Sequence, residues 1–233
     1  MEIMLERLKD IDNSLFVALN GSDSVYWDAV MWLITKTTTW IPLLLILVYV
    51  IARNSDLRRF ALIVTAMLLT VALADRLSSG LIKPLVMRWR PTHDATFLHT
   101  LDTVWGYTGG RYGFVSSHAA NTFALFAFLS LVLRSRLLSF FLLLWACVSS
   151  YSRVYLGVHF PGDILCGAIL GLIVGLLVYL VYNSINRRMA GERQFYSTAY
   201  TSSGFLYADV HLLVFTLLFT YLVVLLLAIP LAL

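Results

Sequence analysis

Charge is what this chain has little of. Only 13% of its 233 residues are Asp, Glu, Lys or Arg, about half the share found in ordinary soluble domains. Set against 60% hydrophobic residues, that shortage excludes a conventional soluble domain. Cysteine is scarce too. Cys147 and Cys166 both lie inside apolar runs and read as two buried free thiols, uninformative about redox compartment. No internal repeat and no low-complexity segment is visible. Residues Met1 to Asp10 are acidic and amphipathic, with no apolar stretch behind them until Tyr26, so they are not expected to be a cleavable signal peptide. The formal charge of +4 is scattered among short loops, so nucleic acid is not an expected partner.

Long apolar runs are what the chain does have. A helix needs about 20 apolar residues to cross a bilayer. Six runs qualify, at roughly 27–52, 59–82, 118–134, 137–156, 162–183 and 207–231. The expected fold is all-α, a bundle of six transmembrane helices forming one domain over 1–233. Residues 1–24 are expected to form an amphipathic interfacial helix, with Ile3, Leu5, Leu8, Ile11, Leu15 and Phe16 on one face. Three connections are short and basic and carry Arg53, Arg58, Arg59, Arg134, Arg136, Arg187, Arg188 and Arg193. By the positive-inside rule these face the cytoplasm, and both termini and the 83–117 loop face outward.

Ionisable residues are costly near a bilayer and mark function there. They gather in three clusters: Lys83 to Pro91 with Arg88 and Arg90; Val115-Ser116-Ser117-His118; and Ser152-Arg153 through His159 to Asp163. Each ends an apolar run, and the alternating topology places all three on one membrane face. Lys83, Arg90 and Arg153 supply a point charge and two planar forks suited to phosphate oxygens. Ser116 and Ser117 begin a span, where hydroxyls and free backbone N–H groups make an anion site. His118 and His159 can attack or transfer protons near neutral pH. Asp163, four residues beyond His159 across Pro161, can hold one imidazole nitrogen and leave the other facing an electrophile. Such a site transfers phosphoryl groups without a metal or other cofactor, its cations stabilising the charge.

These clusters resemble the signature of the type 2 phosphatidic acid phosphatase superfamily, which includes lipid phosphate phosphatases and vanadium haloperoxidases. Its pattern is K-x6-R-P, P-S-G-H and S-R-x5-H-x3-D. Lys83, Arg90 and Pro91 match the first motif; Ser152, Arg153, His159 and Asp163 match the third. The second matches at Ser116 and His118 but carries Val115 for Pro and Ser117 for Gly. The resemblance implies that His159 forms a phosphohistidine, Asp163 orients it and His118 protonates the leaving oxygen. It further implies that Lys83, Arg90, Ser116, Ser117 and Arg153 bind phosphate.

Other residues invite plainer readings. Asp75-Arg76 is either an ion pair within the bundle or a second layer of the site. Lys36 snorkels outward, and Arg88 faces solvent or a headgroup. His93, Asp94, His99 and Asp102 fit no metal-ligand spacing, and His211 is structural. Trp89, Trp105, Tyr107 and Tyr112 form an interfacial belt or lid. Gly167, Gly171 and Gly175 form a small-residue packing ridge.

The expected function is hydrolysis of a membrane lipid phosphate or diphosphate in a bacterial inner membrane, with the site facing the periplasm. Undecaprenyl diphosphate leads. Phosphatidylglycerol phosphate, phosphatidic acid, lipid A phosphates and phosphotransfer to another hydroxyl are the alternatives. A transporter is disfavoured because the charges gather at one face instead of running through the bundle.

Overall fold

The computed structural model describes residues 2–97, 100–190 and 198–232, and among these it is helical with no strand. Helix α1 (Glu2–Leu19) leads to α2 (Val25–Thr35) and α3 (Ile41–Arg53), then α4 (Leu57–Asp75) and the short α5 (Lys83–Val86). After a long loop come α6 (Ser117–Leu133), α7 (Arg136–Tyr155), α8 (Pro161–Ala190) and α9 (Tyr207–Leu231). Polar caps set the starts. Ser24, Asp56, Ser116 and Ser135 each accept from a backbone N–H in the first turn, which satisfies donors that the helix leaves free.

Four of these elements are long and apolar enough to cross a membrane: Leu57–Val86, Arg136–Tyr155, Pro161–Met189 and Tyr207–Leu231. The first expected span is instead broken, since α2 and the Thr37–Arg53 segment meet at 67°. The break is stable because side chains serve the carbonyls it frees. Thr39 Oγ1 donates to Leu33 at 2.6 Å, and Trp40 Nε1 donates to Ile34 at 2.9 Å. Lys36 sits exposed at the bend, its Nζ 5.0 Å from the Trp32 ring centroid. The expected 118–134 span corresponds to α6, a shorter apolar helix of 17 residues. Four to five candidate spans therefore stand where six were expected.

Helices α4, α6 and α8 pack together on one side of the bundle, α2, α3 and α9 on the other, with α7 between. The glycine ridge is the reason α6 and α8 approach so closely. A Cβ on Gly167, Gly171 or Gly175 would run into the carbonyl oxygen of Ser116, Ala120 or Ala124. Gly171→Ala is therefore expected to lower stability by about 1–3 kcal/mol, read as a fall in the thermal midpoint in detergent.

The two cysteines are not both buried. Cys147 is exposed and Cys166 half-buried, and neither forms a disulfide. In a membrane chain the outer surface is itself apolar, so an apolar run does not tell inside from outside. Leu143 and Leu144 beside Cys147 are likewise exposed.

Candidate active site

The 87–116 loop folds back on itself over the ends of α7 and α8. Trp89 and Tyr112 form an antiparallel bridge, and Gly113 N donates to Arg88 O at 2.9 Å. This return lays the first motif beside the third. The second joins through the backbone, where Ser116 N donates to Asp163 O at 3.0 Å.

His159 lies in the tight turn between α7 and α8, after Gly157 takes the left-handed conformation at φ 72°, which costs glycine little. Its side chain is buried at 2% exposure, with Nδ1 3.3 Å from Asp163 Oδ2. Asp163, fully buried in the first turn of α8, also accepts from Phe160 N at 3.1 Å. A carboxylate acceptor there fixes the proton on Nδ1 and leaves Nε2 with its lone pair. Burial, with Arg90, Arg153, Lys83 and Arg88 nearby, holds the imidazole well below its ordinary pKa. His159 is thus neutral near pH 7.

The cations reach this point by different routes. The chain from Arg76 to Ile82 winds as a π-helix at the end of α4, a distortion frequent at functional sites. Lys83 follows it, and its Nζ donates to Ser117 Oγ at 2.5 Å. Ser79 Oγ lies 2.7 Å from the same hydroxyl and donates to Asp75 Oδ1 at 3.3 Å. Ser117, where the family pattern has glycine, therefore anchors Lys83 with its side chain. Asp75 belongs to a second layer behind it, the second of the two readings open for it in the sequence. Arg90, 7% exposed, spends Nε on Tyr112 O at 3.1 Å and Nη1 on Val158 O at 3.4 Å. Burial and the Arg153 charge push its pKa down. Arg153 donates to Thr35 Oγ1 at 2.8 Å and to Tyr107 OH at 3.1 Å, while its buried Nε has no partner. His118 turns Nε2 to Ser149 Oγ at 2.9 Å. Glycines leave room for all this: a Cβ on Gly113 would sit 2.8 Å from Asp163 Oδ2, and one on Gly109 2.6 Å from Arg90 Nη1.

One reading is corrected. Arg88 does not face solvent or a headgroup. Nη1 donates to Asp163 Oδ1 at 3.0 Å and Nη2 to Asp12 Oδ2 at 2.7 Å, with Cζ 4.1 Å above the Phe160 ring. Asp12 comes from α1 and also accepts from Gly162 N at 2.7 Å, at the start of α8. The pairing escapes a sequence reading because Asp12 and Arg88 are 76 residues apart. The accessible signal was that Asp12, unlike Glu6 and Asp10, falls on the apolar face of α1 in line with Leu5, Leu8 and Phe16. Arg88→Ala is expected to lower kcat about 10–100-fold while KM changes less, since freeing one oxygen of Asp163 loosens the imidazole by fractions of an ångström. Initial-rate kinetics on the folded variant would read it, and equal losses in kcat and 1/KM would refute it.

The remaining expectations fall as follows. Among the described residues no group of His, Cys, Asp or Glu could hold a metal ion; His99 and Arg193 lie outside those residues. Trp105 and Tyr107 pack edge-on against Trp32, and Tyr107 further touches Arg153, so the aromatic belt reaches into the site. His211 lies beside the Tyr207 ring, 6.0 Å away.

The three motifs that meet here are matched by sequence comparison. The PAP2 superfamily model fits residues 59–187, which include every residue of the three motifs. The chain belongs to that superfamily. Its relatives include the lipid A 4'-phosphatase of Bacteroides thetaiotaomicron, 38% identical over 190 residues, covering 81% of this chain and 84% of that protein. The lipid A 4'-phosphatase of Porphyromonas gingivalis is 36% identical over 189 residues, 80% and 79% of the two chains. A third relative is Escherichia coli YbjG, provisionally named an undecaprenyl-diphosphatase. It is 26% identical over 185 residues, 78% and 88% of the two chains. No solved structure matches. The protein is a lipid phosphatase of a bacterial membrane.

Proposed function

We propose that this phosphatase removes a phosphate monoester from an acylated sugar lipid of the lipid A kind. Undecaprenyl diphosphate, the leading expectation from sequence, gives way because two relatives above 35% identity carry the lipid A name and the one at 26% the isoprenoid name. The observation that carries the hydrolytic reading is the buried neutral His159, held by Asp163 among four cations.

In the proposed reaction Lys83, Arg90 and Arg153 take the phosphate oxygens, with backbone and hydroxyl donors of Ser116 and Ser117 at the α6 N-terminus. His159 Nε2 attacks phosphorus. The P–O bond to the lipid breaks as a P–N bond forms, and His118 gives its proton to the leaving oxygen. Water then attacks the phosphohistidine, His118 takes a proton from it, and inorganic phosphate leaves with Nε2 free again. The whole chain works as one domain in this reading. The bent α2–α3 pair and α6 complete six crossings, and α1 lies in the interface with Ile3, Leu8, Ile11 and Leu15 exposed. The basic connections face the cytoplasm of the inner membrane and the site faces outward.

The test is phosphate release by purified protein in EDTA from a lipid A 4'-monophosphate, undecaprenyl diphosphate, phosphatidylglycerol phosphate and phosphatidic acid. Fastest release from the first is expected. Preference for undecaprenyl diphosphate would restore the isoprenoid reading, and transfer to an added sugar or lipid hydroxyl without free phosphate would replace hydrolysis by phosphotransfer.

A further inference from the structure

A deep apolar cleft of about 710 Å³ lies between α3, α4, α6 and α7. One face of α6 runs its full length, from His118 through Thr122, Leu125 and Leu129 to Leu133. At 1.5 Å per residue that wall is about 22 Å long. The two ends differ. Leu133 and Leu138 close the far end, whereas His118 and Ser149 stand at the near end beside Asn121, Asp75 and Arg76.

Three observations at the near end point to a ligand there. Asn121 Oδ1 is buried with no hydrogen-bond partner, an expensive state for a carbonyl in a low-dielectric site. Asp75 and Arg76 are both exposed in the middle of the Leu57–Val86 span and, among the described residues, neither makes an ion pair. Charges held at such a depth mark a ligand path or a polar partner. Finally, the histidine suited to protonate the leaving oxygen is itself part of the cleft wall, so whatever that oxygen is attached to departs on the cleft side.

We propose that this cleft is a leaving-group site, which takes one acyl chain of the alcohol that carries the phosphate and reads that alcohol through Asn121. Asn121 Oδ1 accepts from an amide N–H or hydroxyl at the root of the chain, and Asp75 and Arg76 flank the sugar at the mouth. The volume suits this occupant. At roughly 30 Å³ for each small group, as for a water molecule, the cleft holds about two dozen, one long acyl chain and its polar root. An undecaprenyl chain overfills it. The inference rests on the acylated-sugar reading above for the polar root, and on the cleft alone for the chain.

The experiment compares an amide-acylated glucosamine phosphate with a long chain, phosphatidic acid, and the soluble p-nitrophenyl phosphate. Asn121→Ala is expected to cost about tenfold in kcat/KM on the amide-bearing lipid and much less on phosphatidic acid; equal losses, or none, overturn the role of Asn121. Leu129→Trp, which fills the middle of the cleft, is expected to lower the long-chain to p-nitrophenyl phosphate ratio of kcat/KM at least tenfold. An unchanged ratio overturns the chain site. Photolabelling of the wild-type protein with a phosphatidic acid bearing a diazirine near its chain end needs no variant to fold. Labels within Ile41–Leu47, Met67–Ala72, Leu125–Leu133 or Leu138–Trp145 support the cleft, and labels confined to other segments overturn it. Should the wild type leave the glucosamine lipid intact while hydrolysing another, the substrate reading falls, and the Leu129→Trp ratio and the photolabel still decide the cleft.

Discussion

Phosphate release by His159→Ala is expected to fall about 10³–10⁴-fold, the loss usual when a covalent nucleophile is removed while binding survives. Its expected companion is a pH profile. Burial and four cations hold the His159 pKa well below 6.5, so its imidazole stays unprotonated through the range where an ordinary histidine takes up a proton. The wild-type kcat/KM should therefore show no acid limb from this group near pH 6.5, only one further down. Stability moves in the same window with a defined sign. Below pH 6.5 the unfolded chain binds a proton that the native site refuses, so wild-type stability falls as pH falls. The alanine variant lacks that proton uptake, so its thermal midpoint should fall less steeply below pH 6.5. An acid limb at 6.5, or identical stability slopes, would sink the assignment of a neutral buried imidazole.

Much of this arrangement was legible because local rules govern it. Apolar run length placed α6, α7 and α9 and the starts of α4 and α8 to within a few residues, while α2 and α3 were read as one span, and the glycine ridge on α8 packs as read. The three motifs do converge, since each ends a helix at the same side of the bundle. What stayed hidden depends on contacts that no local pattern encodes. The bend after Thr35 rests on Thr39 and Trp40 reaching back to carbonyls of α2. The π-helix before Lys83 breaks no composition rule. Arg88 sits inside the first motif, yet its partners lie in α1 and α8, and only the fold brings three such distant elements together. Apolar membrane helices add a further ambiguity, because core and lipid-facing sides share one composition, which is why Cys147 reads as buried from sequence and is exposed.

Asp163→Asn tests the centre of the site with a change of one atom. The carboxylate accepts on both oxygens: Oδ2 from Phe160 N and beside His159 Nδ1, Oδ1 from Arg88 Nη1. An amide must turn its NH₂ toward one of these. Facing Arg88, it sets two donors against each other and leaves the guanidinium with Asp12 alone. Facing Phe160 and His159, it opposes the backbone N–H and donates to Nδ1, which drives the imidazole proton onto Nε2 and removes the attacking lone pair. Either choice costs the nucleophile its orientation or its tautomer, so kcat is expected to fall about 10³-fold. Phosphate affinity should fall less, because the carboxylate bonds to none of Lys83, Arg90 and Arg153. Measured kcat and KM, with product phosphate as competitive inhibitor, separate the two. A variant that keeps kcat but loses phosphate affinity would make Asp163 a prop for the cradle and leave His159 without its orienting partner.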